Sequence, residues 1–99
     1  MPRFGVFRNP EGAGYLLDVQ ADLLSHLNTR VVIPLLPLEL APQPARTLNP
    51  IFEIEGQRLM LATQFLAAIP QRLLAEHVAD LRDKHTEITN ALDLLFQGF

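Results

Sequence analysis

The sequence predicts a mainly β domain that ends in an α-helix, and three observations lead to this prediction. Two pairs of apolar segments flank short runs of turn residues, as in β-hairpins. A run of β-branched residues predicts a further strand. The C-terminal third instead places apolar residues at spacings of four and three, which is typical of a helix. With 99 residues, the chain has room for one domain, residues 1–99.

The two hairpins are predicted in different halves of the chain. The first joins residues 3–8 and 15–20 through a loop of six residues that contains two glycines. The second joins residues 51–55 and 57–61 through a turn at Gly56. Glycine suits such turns because it adopts backbone angles that other residues avoid.

A central strand and a long loop are predicted between the hairpins. Residues 29–33 form the β-branched run TRVVI, and we expect this strand to end at Pro34, because proline interrupts interior strands. Four prolines fall within residues 37–50, which disfavours both helix and strand there. Unstructured loops of this length are uncommon in compact domains and are often functional, although a tolerated surface loop is the alternative.

The C-terminal apolar spacing predicts the helix at about residues 83–97. Asp83 is the predicted N-cap, and no helix breaker follows it until Gly98. The preceding segment, residues 75–81, is short, and its pattern fits a strand as well as a helix. The spacing of four and three residues extends across both segments and by itself predicts one helix. Its positions are Leu74, Val78, Leu81, His85, Ile88, Leu92 and Leu95.

Charge and composition exclude several classes of protein. Eleven acidic and eight basic residues give a net charge of −3, whereas proteins that bind nucleic acid directly usually carry a basic surface. The absence of cysteine excludes a disulfide framework and thiolate metal sites. The most apolar stretch, residues 59–69, is shorter than the roughly 20 residues of a membrane helix. We therefore expect a cytoplasmic protein without direct nucleic-acid or membrane binding.

No motif for catalysis, cofactor binding or metal binding is apparent. His77 and His85 would lie about 12 Å apart along a helix, too far for a shared metal ion. The hydroxyl residues lack the context of a nucleophile elbow. The glycines at 12 and 14 lack the following helix and lysine of a phosphate-binding loop. We expect no cofactor and no metal, and nothing in these residues argues for catalysis.

The last residues are unusually apolar for a chain end. Residues 94–99 read LLFQGF, with two phenylalanines among the last four positions, whereas chain ends are usually frayed and polar. Such a tail packs either on its own domain or on a partner, and the sequence favours a dimer or binding role.

Five segments in the same order, and with matching spacing, resemble the CcdB family of bacterial toxins from toxin–antitoxin modules. They are residues 15–24, 30–35, 48–50, 78–81 and 90–99, and the resemblance extends over nearly the whole chain. It implies an SH3-like barrel of the CcdB and MazF type: an antiparallel sheet, a small second sheet and a C-terminal helix, in a symmetric homodimer. It also implies a strand at residues 75–81, followed by the helix.

The resemblance implies a toxin that is not an enzyme but binds the A subunit of DNA gyrase and traps the cleaved DNA complex. By position, the gyrase-binding residues are Leu23, Leu24, Asp93, Phe96, Gln97, Gly98 and Phe99. A cognate antitoxin is expected to lie near the loops 8–14 and 39–47, with the candidate contacts Arg8, Asn9, Glu11 and Arg46. The helix stripe predicts the dimer-interface residues Ile88, Leu92 and Leu95, with Leu95 near the two-fold axis.

The chain differs from the family pattern at its end. Gyrase-directed members end in Trp-Gly-Ile, whereas this chain ends in Gln97-Gly98-Phe99, and glutamine cannot stack on a partner arginine as tryptophan does. One alternative is therefore a homologue without gyrase-poisoning activity that binds or regulates an antitoxin. The other is an mRNA endoribonuclease of the same fold, for which His77, Asp80 and Arg30 offer a base, an acid and a cation.

Overall fold

The computed structural model describes residues 3–41 and 43–98, and its regular elements are strands followed by one C-terminal helix. No helix in these residues is both long and apolar enough to cross a membrane. The elements are β1 (Gly5–Arg8), β2 (Tyr15–Asp18), β3 (Thr29–Pro37), β4 (Ile51–Ile54), β5 (Gln57–Leu61), β6 (Ala67–Pro70), β7 (His77–Asp80) and α1 (His85–Gln97).

The strands form one curled antiparallel sheet in the order β4-β5-β3-β2-β1-β7. The long strand β3 pairs with β2 on one side. On its other side β3 pairs first with β6 and then with β5. The described residues do not form the separate small second sheet that was predicted, because the β4–β5 hairpin joins the same sheet through β3. This curled sheet with a C-terminal helix confirms the predicted mainly β fold, which is consistent with an SH3-like barrel.

The prediction that the central strand ends at Pro34 is wrong, because β3 continues to Pro37. Pro34 lies between the segments of β3 that pair with β6 and with β5, since Val32 is opposite Ala67 and Leu35 is opposite Leu61. No strand partner needs the missing N–H at that point. A proline can therefore occupy the middle of a strand where the strand changes partner.

Both predicted hairpins are confirmed. The first loop runs from Asn9 to Gly14 and is closed by a hydrogen bond from the Asn9 N–H to the Gly14 carbonyl, 3.2 Å long. In the second hairpin, Glu55 and Gly56 have φ angles of 53° and 78°, as the two-residue turn between right-twisted strands requires.

The ambiguous segment before the helix is a strand, β7, which pairs with β1. Asp83 is not the N-cap, because a 3₁₀ turn at Arg82–Lys84 precedes the helix, and α1 begins at His85. The carboxylate of Asp80 provides a hydrogen-bond acceptor at the start of that turn, since it accepts the Arg82 N–H at 2.7 Å. The helix ends at Gly98, whose φ of 83° is left-handed and whose N–H donates to the Leu94 carbonyl.

The core lies between the sheet and α1 and consists of apolar side chains from most strands. Its fully buried aliphatic members include Val6, Leu17, Ile33, Leu35, Leu59, Leu61 and Ile88. After β3 the chain makes a 3₁₀ turn at Leu38–Leu40. From there to β4 the described residues form neither strand nor helix, as the prolines predict.

Candidate functional site

An exposed apolar turn follows β2. The chain forms a 3₁₀ turn at Asp22–Leu24. The side chain of Leu23 is 87 % exposed there, and those of Leu24 and Leu27 also face solvent. We call residues 21–27 the leucine turn. Clustered exposed leucines are typical of an interaction surface, since exposed apolar groups on monomers are usually scattered.

An open groove of about 750 Å³ lies beside the leucine turn. Its walls carry a histidine and an arginine but no carboxylate: Ser25, His26, Leu27, Asn28, Pro70, Gln71, Arg72 and Leu74. The groove is thus less acidic than the chain as a whole.

The end of α1 presents a second apolar surface. Phe96 is 68 % exposed, Gln97 and Gly98 are exposed, and Asp93 is half-buried. Phe99, a predicted contact, lies outside the described residues. Every described residue that the sequence predicted for gyrase binding thus keeps some accessible surface.

Phe65 is an exposed aromatic residue that is not among the predicted site residues. It belongs to the 3₁₀ turn Thr63–Phe65, which packs against α1, and it is 54 % exposed. A lone aromatic residue near predicted strands is ordinarily a core residue, so nothing in the sequence pattern indicated that Phe65 would lie at the surface. The polar residue before it, Gln64, is the one feature of the sequence that could have indicated an exposed segment.

The predicted dimer residues differ in accessibility. Ile88 is fully buried in the core of its own chain and has no surface to offer a partner. Leu92 and Leu95 are half-buried, because they lie nearer to the exposed end of the helix. Two of the three predicted residues therefore keep surface for a second protomer.

The loops predicted to bind the antitoxin begin at the same end of the sheet. Tyr15 pairs with Leu35, so the loop before β2 and the loop after β3 both leave from that end. Asn9 shapes the first loop, since its Oδ1 accepts the Glu11 N–H at 3.0 Å. Glu11 and Arg46 are both exposed. The leucine turn connects the opposite ends of these strands.

Arg8 lies at the centre of a polar cluster beside the first loop. Its Nη2 is 3.0 Å from Glu55 Oε1, and its Nε is 2.8 Å from Glu76 Oε2. The Tyr15 hydroxyl donates to the same Glu55 oxygen at 2.7 Å. The guanidinium of the predicted antitoxin contact Arg8 is therefore already paired within the chain.

Those contacts shift the pKa values of three groups in this cluster, Glu55, Tyr15 and Arg8. The hydroxyl hydrogen bond from Tyr15, followed by the charge of Arg8, lowers the pKa of Glu55, while burial opposes this shift. The same hydrogen bond raises the pKa of Tyr15. The hydrogen bond to Glu76 raises the pKa of Arg8 above its ordinary value. At neutral pH the cluster thus combines a carboxylate, a phenol and a guanidinium.

Asn49 holds the proline-rich loop to the sheet. Its Nδ2 donates to the Leu61 carbonyl at 3.0 Å and to Gln64 Oε1 at 2.8 Å. Its Oδ1 accepts the Ala45 N–H at 3.0 Å. Asn49 belongs to the Leu-Asn-Pro segment that carries the family resemblance, and its buried amide explains why asparagine suits that position.

A buried ion pair lies behind the leucine turn. Arg30 Nη2 is 2.7 Å from Asp18 Oδ2, and neither side chain is exposed to solvent. Burial raises the pKa of Asp18, although hydrogen bonds from Arg30 and from the Gln20 N–H act against this shift. Arg30 thus has no surface with which to contact a phosphate.

The groups proposed for a ribonuclease are engaged in other contacts. His77 is exposed on β7, and its ring meets Phe7 edge-on at 5.3 Å. Asp80 accepts from Arg82 Nη2 at 3.0 Å, and this hydrogen bond lowers its pKa. No group of three metal-binding side chains occurs within residues 3–41 and 43–98.

Comparison with known proteins gives a family and a structural neighbour. A family model described as CcdB protein matches residues 3–98. A solved structure described as an endoribonuclease in complex with its cognate antitoxin, from Mycobacterial species, is similar with a TM-score of 0.72 and 15 % sequence identity. The match covers 94 % of this chain and 92 % of that one. At this identity the neighbour shows the shared fold.

Proposed function

We propose, from the premise that this chain belongs to the CcdB family, that it is a homodimeric toxin that binds the A subunit of DNA gyrase and traps its cleaved DNA complex. The family match and the antitoxin-bound neighbour support the broader function, a toxin of a toxin–antitoxin pair with an antitoxin as partner. The gyrase target and the homodimer go beyond these comparisons and are our proposal.

One observation carries the gyrase proposal. The two most exposed large apolar side chains in the described part of the chain are Leu23 and Phe96. Both occupy positions that, by the family resemblance, contact gyrase. Exposed apolar side chains that a partner covers are removed from water, and this burial favours binding. A few well-buried residues usually supply most of the binding energy at a protein interface.

The proposed activity is binding without catalysis. Trapping a cleaved complex requires a surface that fits one state of the target better than the others, and no bond in the target has to be broken by the toxin. The full burial of Arg30 against Asp18 supports this view, because a ribonuclease needs a cation that can reach the scissile phosphate.

The proposed dimer uses the apolar surface around α1. Phe65, Leu92 and Leu95 offer accessible apolar area near the helix, and a two-fold dimer would cover it with the same surface of a second copy. We expect Leu95→Asp to yield monomers in sedimentation at micromolar concentration, and Thr89→Asp on the exposed helix face to remain dimeric. A wild-type sample of 11 kDa species alone would rule out the dimer.

The deciding experiment is induced expression in cells that carry wild-type or toxin-resistant gyrase. The proposal requires growth arrest with wild-type gyrase and its disappearance with the resistant enzyme. Arrest accompanied by RNA decay in both strains would instead identify a ribonuclease. Growth without arrest would identify a homologue that no longer poisons gyrase.

The surface is tested by three matched variants that each place a charge at an exposed apolar position. Leu23→Asp and Phe96→Asp should each weaken binding to a gyrase A fragment by about 30-fold or more, as loss of a hot spot of about 2 kcal/mol implies. Leu40→Asp is the control, since Leu40 is 64 % exposed but lies outside the proposed gyrase surface. Equal affinity in all three variants would contradict the assignment.

A further inference from the structure

We propose that Gln20 is a positioning residue that holds the leucine turn in the conformation in which it meets its partner. The residue lies between the buried Asp18–Arg30 pair and the turn, and it makes no direct contact with a partner in this proposal. The identity of that partner rests on the proposed gyrase function, whereas the positioning role rests on hydrogen bonds within the chain.

Each of the four polar groups of Gln20 has a hydrogen-bond partner. Its N–H donates to Asp18 Oδ1 at 3.1 Å, and its carbonyl accepts from Arg30 Nη2 at 3.4 Å. In the side chain, Oε1 accepts the Val31 N–H at 3.0 Å, and Nε2 donates to the Leu24 carbonyl at 3.1 Å. One amide therefore joins strand β3 to the leucine turn.

The chemistry of this position requires an amide. Gln20 is only 8 % exposed, and a buried polar side chain is costly unless its groups are paired. An amide carries an acceptor for the Val31 N–H and a donor for the Leu24 carbonyl in one rigid plane, and it does so without a charge at any pH. Rotating the amide by half a turn would set oxygen against oxygen and N–H against N–H, so the contacts fix a single orientation.

The leucine turn depends on this contact because its own packing is poor. Residues 21–27 are all exposed, so no buried side chain of the turn anchors it. Within the turn, the backbone bonds are short-range, such as that from the Leu24 N–H to the Ala21 carbonyl. From outside, the Arg3 N–H donates to Asp22 Oδ1 at 2.7 Å, and Gln20 supplies the link to the interior.

Fixing the turn before binding raises affinity, because less conformational freedom is lost when the partner arrives. Without the Gln20 contact, the leucines would remain on the surface, but their backbone would sample more conformations. Gln20 therefore contributes to binding through Leu23 and Leu24 without touching the partner.

Two substitutions separate the link to the turn from the link to the strand. Gln20→Glu keeps an acceptor for the Val31 N–H, and in its ionised form it has no donor for the Leu24 carbonyl. Gln20→Met keeps the length of the side chain and adds no charge, but it loses both hydrogen bonds. We expect both variants to bind the gyrase A fragment about tenfold more weakly, as loss of a buried hydrogen bond implies.

Amide hydrogen exchange provides a readout that needs no partner. In both variants the amides of Ser25 and Leu27 should exchange about tenfold faster than in the wild type, because the turn opens more often. The amides of Leu17 and Leu35 in the central strands should keep their protection. Uniformly faster exchange would indicate global destabilisation and would overturn the positioning role, as would unchanged exchange in the turn.

A double-mutant cycle tests whether Gln20 acts through the leucines. In a Leu23→Ala/Leu24→Ala background, Gln20→Glu should produce no further loss of gyrase affinity, since nothing remains to be positioned. A full tenfold loss in that background would overturn the inference. If the wild-type protein does not bind the gyrase fragment, the proposed function fails, and the exchange measurement still decides the role of Gln20.

Discussion

Replacing Asp18 or Arg30 alone should destabilise the protein more than replacing both together. The two side chains are completely buried, and Arg30 contacts Asp18 Oδ2 through Nη2 at 2.7 Å and through Nε at 3.0 Å. In Asp18→Leu the guanidinium would remain buried, with the Gln20 carbonyl at 3.4 Å as a neutral acceptor. Removing one partner of a buried ion pair costs about 3–5 kcal/mol, a large part of the roughly 5–15 kcal/mol of a whole domain.

The pair as a whole should contribute much less than either single variant suggests. Arg30 Nη1 is buried and has no hydrogen-bond partner within the described residues, so the lost hydration of the guanidinium is incompletely compensated. We therefore expect the double variant Asp18→Leu/Arg30→Met to lose only about 1–2 kcal/mol, because apolar replacement of a buried pair is often close to neutral.

Urea unfolding at neutral pH measures this cycle. Far-UV circular dichroism is the suitable signal, because the chain has no tryptophan and one tyrosine. Four proteins are compared: the wild type, Asp18→Leu, Arg30→Met and the double variant. If the double variant loses the sum of the two single losses, the residues are not energetically coupled, and the reasoning from burial is refuted.

Three further predictions follow from single positions. Gly14→Ala should cost about 2–4 kcal/mol in urea unfolding, because Gly14 has a φ of 86° and its Cβ would collide with the Leu35 carbonyl oxygen; the control Gly12→Ala, whose Cβ meets nothing closer than 3.8 Å, should stay within about 0.5 kcal/mol. The pKa of Glu55 is lowered from 4.5 by a tyrosine hydroxyl and an arginine. The ionised Glu55 therefore stabilises the folded state fully above pH 4.5, and this stabilisation is lost as the pH falls through the lower pKa of the folded state. Urea midpoints at pH 7 and about pH 3 should therefore differ less in Glu55→Gln than in the wild type, and an equal difference would contradict the assignment. Gln97→Trp should strengthen binding to the gyrase A fragment about fivefold, as one stacking contact of about 1 kcal/mol implies, and unchanged affinity would show that the tail does not contact gyrase.

The hairpins and the helix could be predicted because their signals are local. The turn at Gly56 and the glycine-containing loop before Tyr15 depend on backbone angles that few residues adopt. The boundary at Pro34 could not be predicted in the same way. Whether a proline ends a strand depends on which partner faces its missing N–H, and here that partner changes between β6 and β5.

The candidate site was predictable in part for a related reason. Leu23 and Phe96 could be assigned by position, and both side chains are exposed. Periodicity placed Ile88 on the correct face of α1 but could not tell a core position from an interface position. The contacts of Arg8 join segments that are distant in sequence. Those of Gln20 are closer in sequence but depend on how the chain folds back between Leu24 and Val31, so no local pattern indicates either set.

The position of β1 between β2 and β7 also determines when the toxin can form during synthesis. Gly5 is opposite Asp80, so one edge of β1 has no neighbour until residues 77–80 have left the ribosome. Sheets with such distant pairings fold slowly. A nascent chain that stops before residue 77 would lack both β7 and α1 and would expose an unpaired strand edge, which promotes aggregation. A chain truncated before residue 77 should therefore be an insoluble fragment that lacks the helix end proposed to bind gyrase.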